Sequence, residues 1–320
     1  MPSRAVYASA VVDFDVLVLG GAGVDTIVRV PELALPDSDN LPVPPIRDYV
    51  AHSGNGVALG FHALGLRTRF ADVLGDDEQG ALIRARHAVL GLDGVFIPAP
   101  NGTPRSVNLV DAAGRRFSFF DGRHPDGYVF PEDFYLPLVE KAAHVHVATQ
   151  RTPAVWAAAR ELGISTSTDV HAWDGEAGWA WPMAGEADLV FLSSAAAADR
   201  IDDVMRRILT EGRASVVVAT EGDAGCRVLA EWSGPAPLRF PVAALERPAV
   251  DSNGAGDAFS TAFMSRWLHG RPLPECALAG AVSGAFACGA EGTHQELIAE
   301  ADLAAAMARA APSWGPRLSD

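Results

Sequence analysis

The sequence predicts an α/β protein in which helices flank a doubly wound, mainly parallel sheet, with a small β-sheet lid attached. Short apolar runs, such as residues 16–19 and 215–220, alternate with helical segments along most of the chain, and this alternation is typical of parallel sheets covered on both faces. Glycines follow several of these runs, as at residues 20–23, where a strand must turn toward the next element. Residues 106–120 break the alternation, because two strand-like runs are joined there by a turn at Gly114 without a helix, which predicts a β-hairpin.

The elements follow in order from hydrophobic periodicity and turn residues. Predicted strands of the main sheet lie at 16–19, 70–74, 95–97, 144–148, 164–169, 188–192 and 215–220. Predicted helices lie at 57–64, 80–90, 153–162, 199–210, 258–264 and 273–288. Strand-like residues 26–30 and 46–51 flank a proline-rich loop at 31–45.

These elements predict that residues 1–320 form a single α/β domain. The lid is formed by about 26–51 and 101–123, inserted in that domain, because these segments are strand-like without intervening helices.

Composition narrows the possible partners and compartment. Hydrophobic residues make up 49% of the 320 residues, and the net charge is -15. Such an acidic surface disfavours nucleic acid and anionic membranes, so neither is expected as a partner. The three cysteines (Cys226, Cys276 and Cys288) form no C-x-x-C pair, and no long apolar run or signal-peptide pattern is present. A cytoplasmic location is therefore expected.

Asp25 is a candidate ligand-binding residue because it lies just past the carboxyl end of the first predicted strand, where open α/β sheets bind ligands. The preceding Gly21-x-Gly23 spacing also occurs in dinucleotide-binding proteins. However, Thr26 takes the place of the third glycine, and a strand rather than a helix follows. A nicotinamide-dependent enzyme is thus disfavoured.

The stretch at residues 251–259 combines a glycine turn, a helix start and two carboxylates. Gly254 and Gly256 allow close backbone approach, and the following residues predict a helix. Free N–H groups and the positive end of the helix dipole favour an anion there. With Asp251 and Asp257 beside it, this pattern suits phosphoryl transfer to a hydroxyl. The alternative is a loop that leads into a buried helix and carries a solvated acidic residue.

His144 and His146 lie two residues apart on one face of a predicted strand. A metal site needs further ligands, and the sequence offers none at a suitable spacing, so no metal-binding residue is predicted. The two side chains are interpreted as neutral histidines at a strand edge.

Four stretches together resemble the ribokinase-like, or PfkB-type, carbohydrate kinase family. Residues 251–259 are similar to its signature D-[ST]-x-G-A-G-D-x-F, and residues 51–65 resemble its glycine-rich signature. Residues 74–80 resemble its G-D-D-x-x-G turn, and residues 219–225 its T-x-G-x-x-G nucleotide loop. The stretches occur in the family's order, and the resemblance spans roughly residues 13–300.

The resemblance implies an ATP-dependent phosphotransferase that phosphorylates a hydroxyl of a small sugar. It implies that Asp257 is the general base and that Gly254, Ala255 and Gly256 form the anion hole. It further implies substrate contacts from Asp25, Gly54 and Asn55, and nucleotide contacts from Thr220, Gly222, Gly225 and Asn253. Mg²⁺ is implied with ATP, a monovalent cation such as K⁺ is possible, and a homodimer through the lid is plausible.

Three departures from the family pattern keep alternatives open. Aligned backward from Gly65, the asparagine position of the glycine-rich signature holds Gly56; aligned forward from Ser53, Asn55 falls earlier and the helix is two residues short. Residues 193–196 lack the family's N-x-x-E element. Ribokinases carry a glutamate before Ser-Pro in the strand after the lid, and this chain has Gln150-Arg151-Thr152-Pro153 there instead. Arg151 either favours a phosphorylated or acidic sugar or is a surface arginine. The alternatives are an adenosine-type nucleoside kinase, or a sugar- or nucleotide-binding protein with weakened catalysis.

Overall fold

The structure, a computed structural model, describes residues 12–34, 37–244 and 247–316. Thirteen strands lie in these ranges: β1 (Phe14–Leu19), β2 (Gly23–Arg29), β3 (Arg47–Ala51), β4 (Thr68–Leu74), β5 (Asp93–Pro98), β6 (Arg105–Val110), β7 (Arg116–Asp121), β8 (Ala142–Val147), β9 (Ser165–Asp169), β10 (Leu189–Ser193), β11 (Val216–Thr220), β12 (Cys226–Ala230) and β13 (Leu238–Phe240). Nine α-helices lie in the same ranges: α1 (Ser53–Ala63), α2 (Glu78–Leu90), α3 (Glu132–Val139), α4 (Val155–Leu162), α5 (Trp181–Ala184), α6 (Ile201–Glu211), α7 (Ala255–Leu268), α8 (Leu273–Ala287) and α9 (Glu300–Ala310).

The larger sheet has nine strands in the order β13-β12-β11-β10-β9-β8-β1-β4-β5. All neighbouring pairs from β11 to β5 are parallel, whereas β12 and β13 add an antiparallel edge. The predicted mainly parallel sheet is thus confirmed. Because its strands share a direction, their carboxyl ends meet at one edge of the sheet.

Helices cover both faces of this sheet, as the alternation predicted. Successive residues of β1 point to opposite faces, so Val16 and Val18 join one core, and Leu17 and Leu19 join the other. The first core includes side chains from α1, α7, α8 and α9, and the second includes side chains from α3, α4 and α6. Both faces are therefore buried, which explains the unbroken apolar strands.

A second sheet contains four strands in the order β3-β2-β6-β7. Its strands come from the two segments predicted to form a lid, although β2 begins at Gly23, before residue 26. In the register, Asp25 of β2 pairs with Ser106, which pairs with Phe120 of β7. These three residues therefore share one face of the small sheet.

Two local predictions differ from the structure. Helix α1 begins at Ser53, so Gly54 and Gly56 lie inside its first turn rather than in a turn before the helix. His144 and His146 lie on β8, which has β1 and β9 as neighbours, so they occupy a central strand rather than a sheet edge. Both histidines are fully buried, and burial lowers their pKa to about 3 and about 4, so the predicted neutral state agrees with their surroundings.

None of the helices in the described ranges combines the length and the apolar character needed to cross a membrane.

Candidate active site

The polar residues of the candidate site gather at the edge where the parallel strands end. Asp169 is the last residue of β9, Ser193 of β10 and Thr220 of β11. Asp25 lies in β2, which begins four residues after β1 ends. Helix α7 begins beside this edge, so one surface carries both Asp25, the predicted substrate contact, and Asp257, the predicted base.

The N-terminus of α7 has the glycine geometry that the sequence predicted. Gly254 is the residue before the helix, with φ of +80°, a backbone conformation that side chains other than glycine rarely adopt. Asp257 lies in the first turn. The Ala255 N–H already donates to Ser252 O at 3.2 Å. Of the three predicted anion-hole groups, the Gly254 and Gly256 N–H groups therefore remain for a ligand.

Asp257 has a partner that the sequence analysis did not identify. Its Oδ2 lies 2.7 Å from Nε2 of His294, whose side chain is only 2% exposed. A carboxylate can only accept, so the imidazole donates and carries its proton on Nε2.

Asp25 is buried and hydrogen-bonded. Its Oδ2 accepts from Thr293 Oγ1 at 3.2 Å, and its Oδ1 lies 3.5 Å from His52 Nε2. Burial acts to raise the pKa of Asp25, but the hydrogen bond and charge of His52, together with the Thr293 hydroxyl, outweigh it. The pKa therefore lies below its usual value, and Asp25 is an ionised acceptor at neutral pH.

Thr293 and His294 are consecutive residues, and each contacts one of the two predicted functional aspartates. This two-residue segment thus brings the predicted substrate carboxylate, Asp25, and the predicted base, Asp257, into one site. Although these aspartates lie more than 200 positions apart in the sequence, the structure places them close together.

Gly54 and Asn55 lie in the first turn of α1, packed on the turn that follows β1. The Asn55 N–H donates to Gly21 O at 3.0 Å, and its Oδ1 lies 2.8 Å from His87 Nε2. Burial lowers the pKa of His87 to about 4, so its imidazole is neutral and donates this hydrogen bond. The buried Nδ2 of Asn55 has no hydrogen-bond partner among the described residues.

Two arginines of the small sheet contact the loop that precedes α7. Arg29 Nη2 lies 2.8 Å from Asp251 Oδ2, and Arg116 Nη1 donates to Asn253 Oδ1 at 2.6 Å. Asp251 also accepts from the N–H groups of Asn253 and Gly292. Asn253, predicted as a nucleotide contact, is thus held by the small sheet.

The predicted nucleotide loop follows β11. Thr220 ends this strand, and its hydroxyl donates to Leu192 O at 3.4 Å. Gly222 begins a short 3-10 helix, and the Glu221 N–H donates to Gly225 O at 2.8 Å, which closes the turn. These three predicted contacts lie at the same sheet edge as Asp169.

Asp169 adds a further carboxylate that sequence reasoning missed. Burial raises the pKa of Asp169, the charge and N–H of His171 lower it, and nearby Asp257 raises it again, so the net shift is upward. Two acidic groups therefore lie close together in one site. No group of three or more His, Cys, Asp or Glu side chains within the described ranges is placed to hold a metal ion.

Arg151 is held by the segment that precedes α3. Its Nη1 donates to Tyr128 O at 2.9 Å and to Pro125 O at 3.4 Å, and its guanidinium lies 5.9 Å from the Tyr128 ring centroid. These contacts favour a structural role for Arg151 over recognition of a phosphorylated sugar.

Comparisons with known proteins agree with this geometry. Residues 179–299 match the family model described as pfkB family carbohydrate kinase. The chain is similar to an acarbose 7(IV)-phosphotransferase from Actinoplanes sp., with 45% identity over 291 residues, covering 90% of this chain and 97% of that protein. A solved structure of a microbiome-derived acarbose kinase is similar at 44% identity, with a TM-score of 0.85, covering 92% of this chain and 99% of that one.

A more distant relative is a nucleoside kinase from Methanothermobacter thermautotrophicus, 25% identical over 321 residues, covering 95% of this chain and 97% of the relative. The near-complete match at 45% identity, together with the fold, confirms the resemblance drawn from the four sequence stretches. This chain therefore belongs to the PfkB family of carbohydrate kinases.

Proposed function

We propose that this carbohydrate kinase transfers the γ-phosphoryl group of ATP to a hydroxyl of acarbose or a closely similar pseudo-oligosaccharide. The observation that carries the proposal is the Thr293–His294 segment, which joins the Asp25 carboxylate to the Asp257 carboxylate at the start of α7. A hydroxyl bound near Asp25 lies beside a base and an anion site, as phosphoryl transfer requires.

In the proposed mechanism, Asp257 accepts the proton of the attacking hydroxyl while the oxygen–phosphorus bond forms and the bond to ADP breaks. The Gly254 and Gly256 N–H groups, at the positive end of α7, stabilise the charge on the transferred phosphoryl group. Residues Thr220, Gly222 and Gly225 border the nucleotide. The small sheet excludes water that would otherwise hydrolyse ATP.

The substrate side of the site offers both hydrogen-bonding and aromatic groups. Asp25 provides an acceptor, whereas the predicted contact Asn55 is fully buried and its amide lies against His87. Phe120 lies on the same face of the small sheet as Asp25, is 70% exposed, and has its ring centroid 5.6 Å from the His52 ring. An exposed aromatic ring facing polar groups suits the apolar face of a saccharide ring. The 45% identical relative is a phosphotransferase for acarbose.

Mg²⁺ belongs to this proposal as the partner of ATP. Mg²⁺ is usually bound by phosphates, water and one or two carboxylates, so a protein cage is not needed. Asp169 is a carboxylate that could contribute, and a nearby cation would relieve its repulsion with Asp257, which helps raise the pKa of Asp169. The bound ion would neutralise phosphate charge.

A substrate panel tests the proposed activity. With ATP and Mg²⁺, ADP release should be faster with acarbose than with maltose, ribose, fructose or adenosine, by about tenfold or more in kcat/KM. Mass spectrometry should show one added phosphate, and removal of Mg²⁺ with EDTA should stop the reaction. Preferred turnover of adenosine would instead indicate a nucleoside kinase. Binding of saccharide without ADP release would indicate a binding protein.

We also propose that the protein forms a homodimer through the outer face of the small sheet. Phe117 and Phe119 lie on the face opposite Phe120 and are 54% and 58% exposed. Their rings meet edge to face, with the ring centroids 5.1 Å apart. Their strand, β7, is an edge strand of its sheet. An exposed aromatic pair beside an unpaired edge suits a second copy of the same face.

Sedimentation velocity tests this dimer. The protein should sediment as a dimer at micromolar concentration, and Phe119→Glu should shift it to monomer because a charge would be buried at the interface. Trp232→Glu is the matched control, since Trp232 is also 58% exposed but lies beyond β12 on the larger sheet. A wild-type monomer, or a Phe119→Glu dimer, would refute the proposal.

A further inference from the structure

We infer that His294 is the positioning residue for Asp257, fixing one carboxylate oxygen so that the other faces the attacking hydroxyl. The inference rests on the proposed role of Asp257 as the base. It concerns a residue that neither the glycine signatures nor the spacing of the carboxylates identifies.

The contact between the two side chains leaves one oxygen of Asp257 available. His294 Nε2 lies 2.7 Å from Oδ2, whereas Oδ1 has no hydrogen bond within the described ranges. The Asp257 side chain is 16% exposed, so the free oxygen retains access to a ligand. During transfer, the hydroxyl proton moves to Oδ1, and the hydrogen bond from His294 to Oδ2 remains in place.

The structure keeps the imidazole at this position despite two unfavourable features. His294 has φ of +55°, in a region where residues other than glycine are uncommon. Its Nδ1 is buried without a hydrogen-bond partner among the described residues. Such strain and such unsatisfied groups persist mainly where function requires the arrangement.

Two glycines make room for the ring. A Cβ atom on Gly56 would lie 2.1 Å from His294 Nε2, and one on Gly254 would lie 2.7 Å from its Cδ2. Gly56 is the position at which the chain departs from the family's glycine-rich signature. The departure therefore has a physical reason, since a larger residue there would displace the imidazole from Asp257.

A matched pair of substitutions isolates the hydrogen bond. Leucine and glutamine are similar in size and bear similar strain at positive φ, but only the glutamine amide can still donate to Asp257. We expect His294→Leu to lower kcat by about 10- to 100-fold, because a misplaced catalytic group is costly. The KM for saccharide and for ATP should stay within about twofold, and His294→Gln should recover most of kcat.

Melting temperatures of the two variants check that both fold alike. His62→Leu is the control, since His62 lies in the last turn of α1 and contacts Leu90 O rather than Asp257; it should leave kcat unchanged. The inference is overturned if His294→Leu keeps wild-type kcat, if Leu and Gln lower kcat equally, or if only KM rises. Activity of Asp257→Asn separates the two proposals: an active Asp257→Asn refutes the base itself, whereas an inactive one with a normal His294→Leu refutes only the role of His294.

Discussion

Asp257→Asn should fold normally and lose about 10³-fold in kcat, because the amide keeps the shape of the side chain but cannot take the hydroxyl proton. The contact with His294 can survive, since the amide oxygen still accepts from Nε2. Coupled detection of ADP release measures kcat. Calorimetry should show that binding of ATP and of the saccharide changes little.

Asp203→Asn provides the control for this substitution. Asp203 lies in the first turn of α6, its side chain is 76% exposed, and it pairs with Arg206 rather than with a residue of the candidate site. Its kcat should equal that of the wild type. Turnover of Asp257→Asn within a few-fold of the wild type would exclude Asp257 as the base and require another acceptor for the proton.

Gly254→Ala should have the second largest effect. The new methyl group would require a residue other than glycine to hold φ of +80°, and it would also meet the His294 ring at 2.7 Å. The loop or the imidazole must move, which disturbs the anion hole and the base together. We expect kcat to fall by about 10²- to 10³-fold, as when an oxyanion donor is lost. The free energy of unfolding should fall by about 1–2 kcal/mol.

Gly270→Ala separates backbone strain from crowding. Gly270 also has positive φ, at +68°, but a Cβ there would meet nothing within 4 Å, and it lies just past the far end of α7. Gly270→Ala should lower the free energy of unfolding, measured in denaturant, about as much as Gly254→Ala does. Its kcat should stay at the wild-type value. Equal kcat in the two variants would show that the geometry at Gly254 has no part in phosphoryl transfer.

Local sequence signals predicted much of the fold. Buried parallel strands appear as short apolar runs, so the positions of most main-sheet strands along the chain followed from the pattern. A glycine turn that opens a helix beside a carboxylate has a direct chemical meaning, and therefore Asp257 and Gly254 could be singled out before the structure was known. Asp25 was identified from its position just past the carboxyl end of the first predicted strand.

The rest of the site depends on contacts between distant segments. His294 lies in an irregular segment between α8 and α9, and nothing in its neighbours indicates that it meets Asp257. Gly56 was interpreted as a departure from a signature, because the ring that fills the space comes from the other end of the chain. The burial of His144 and His146 was missed for a related reason, since strand order within a sheet is not a local property.

The two arginines that extend from the small sheet have a thermodynamic consequence. Arg29 holds Asp251, and Arg116 holds Asn253, so the sheet proposed to cover the saccharide and the loop proposed to face the phosphates share contacts. A ligand that favours one arrangement of the sheet therefore favours one arrangement of the loop. By reciprocity, the free energy with which a bound saccharide aids nucleotide binding equals the free energy with which nucleotide aids saccharide binding. The two proposed sites are thus linked through guanidinium groups that contact Asp251 and Asn253 rather than Asp25 or Asp257.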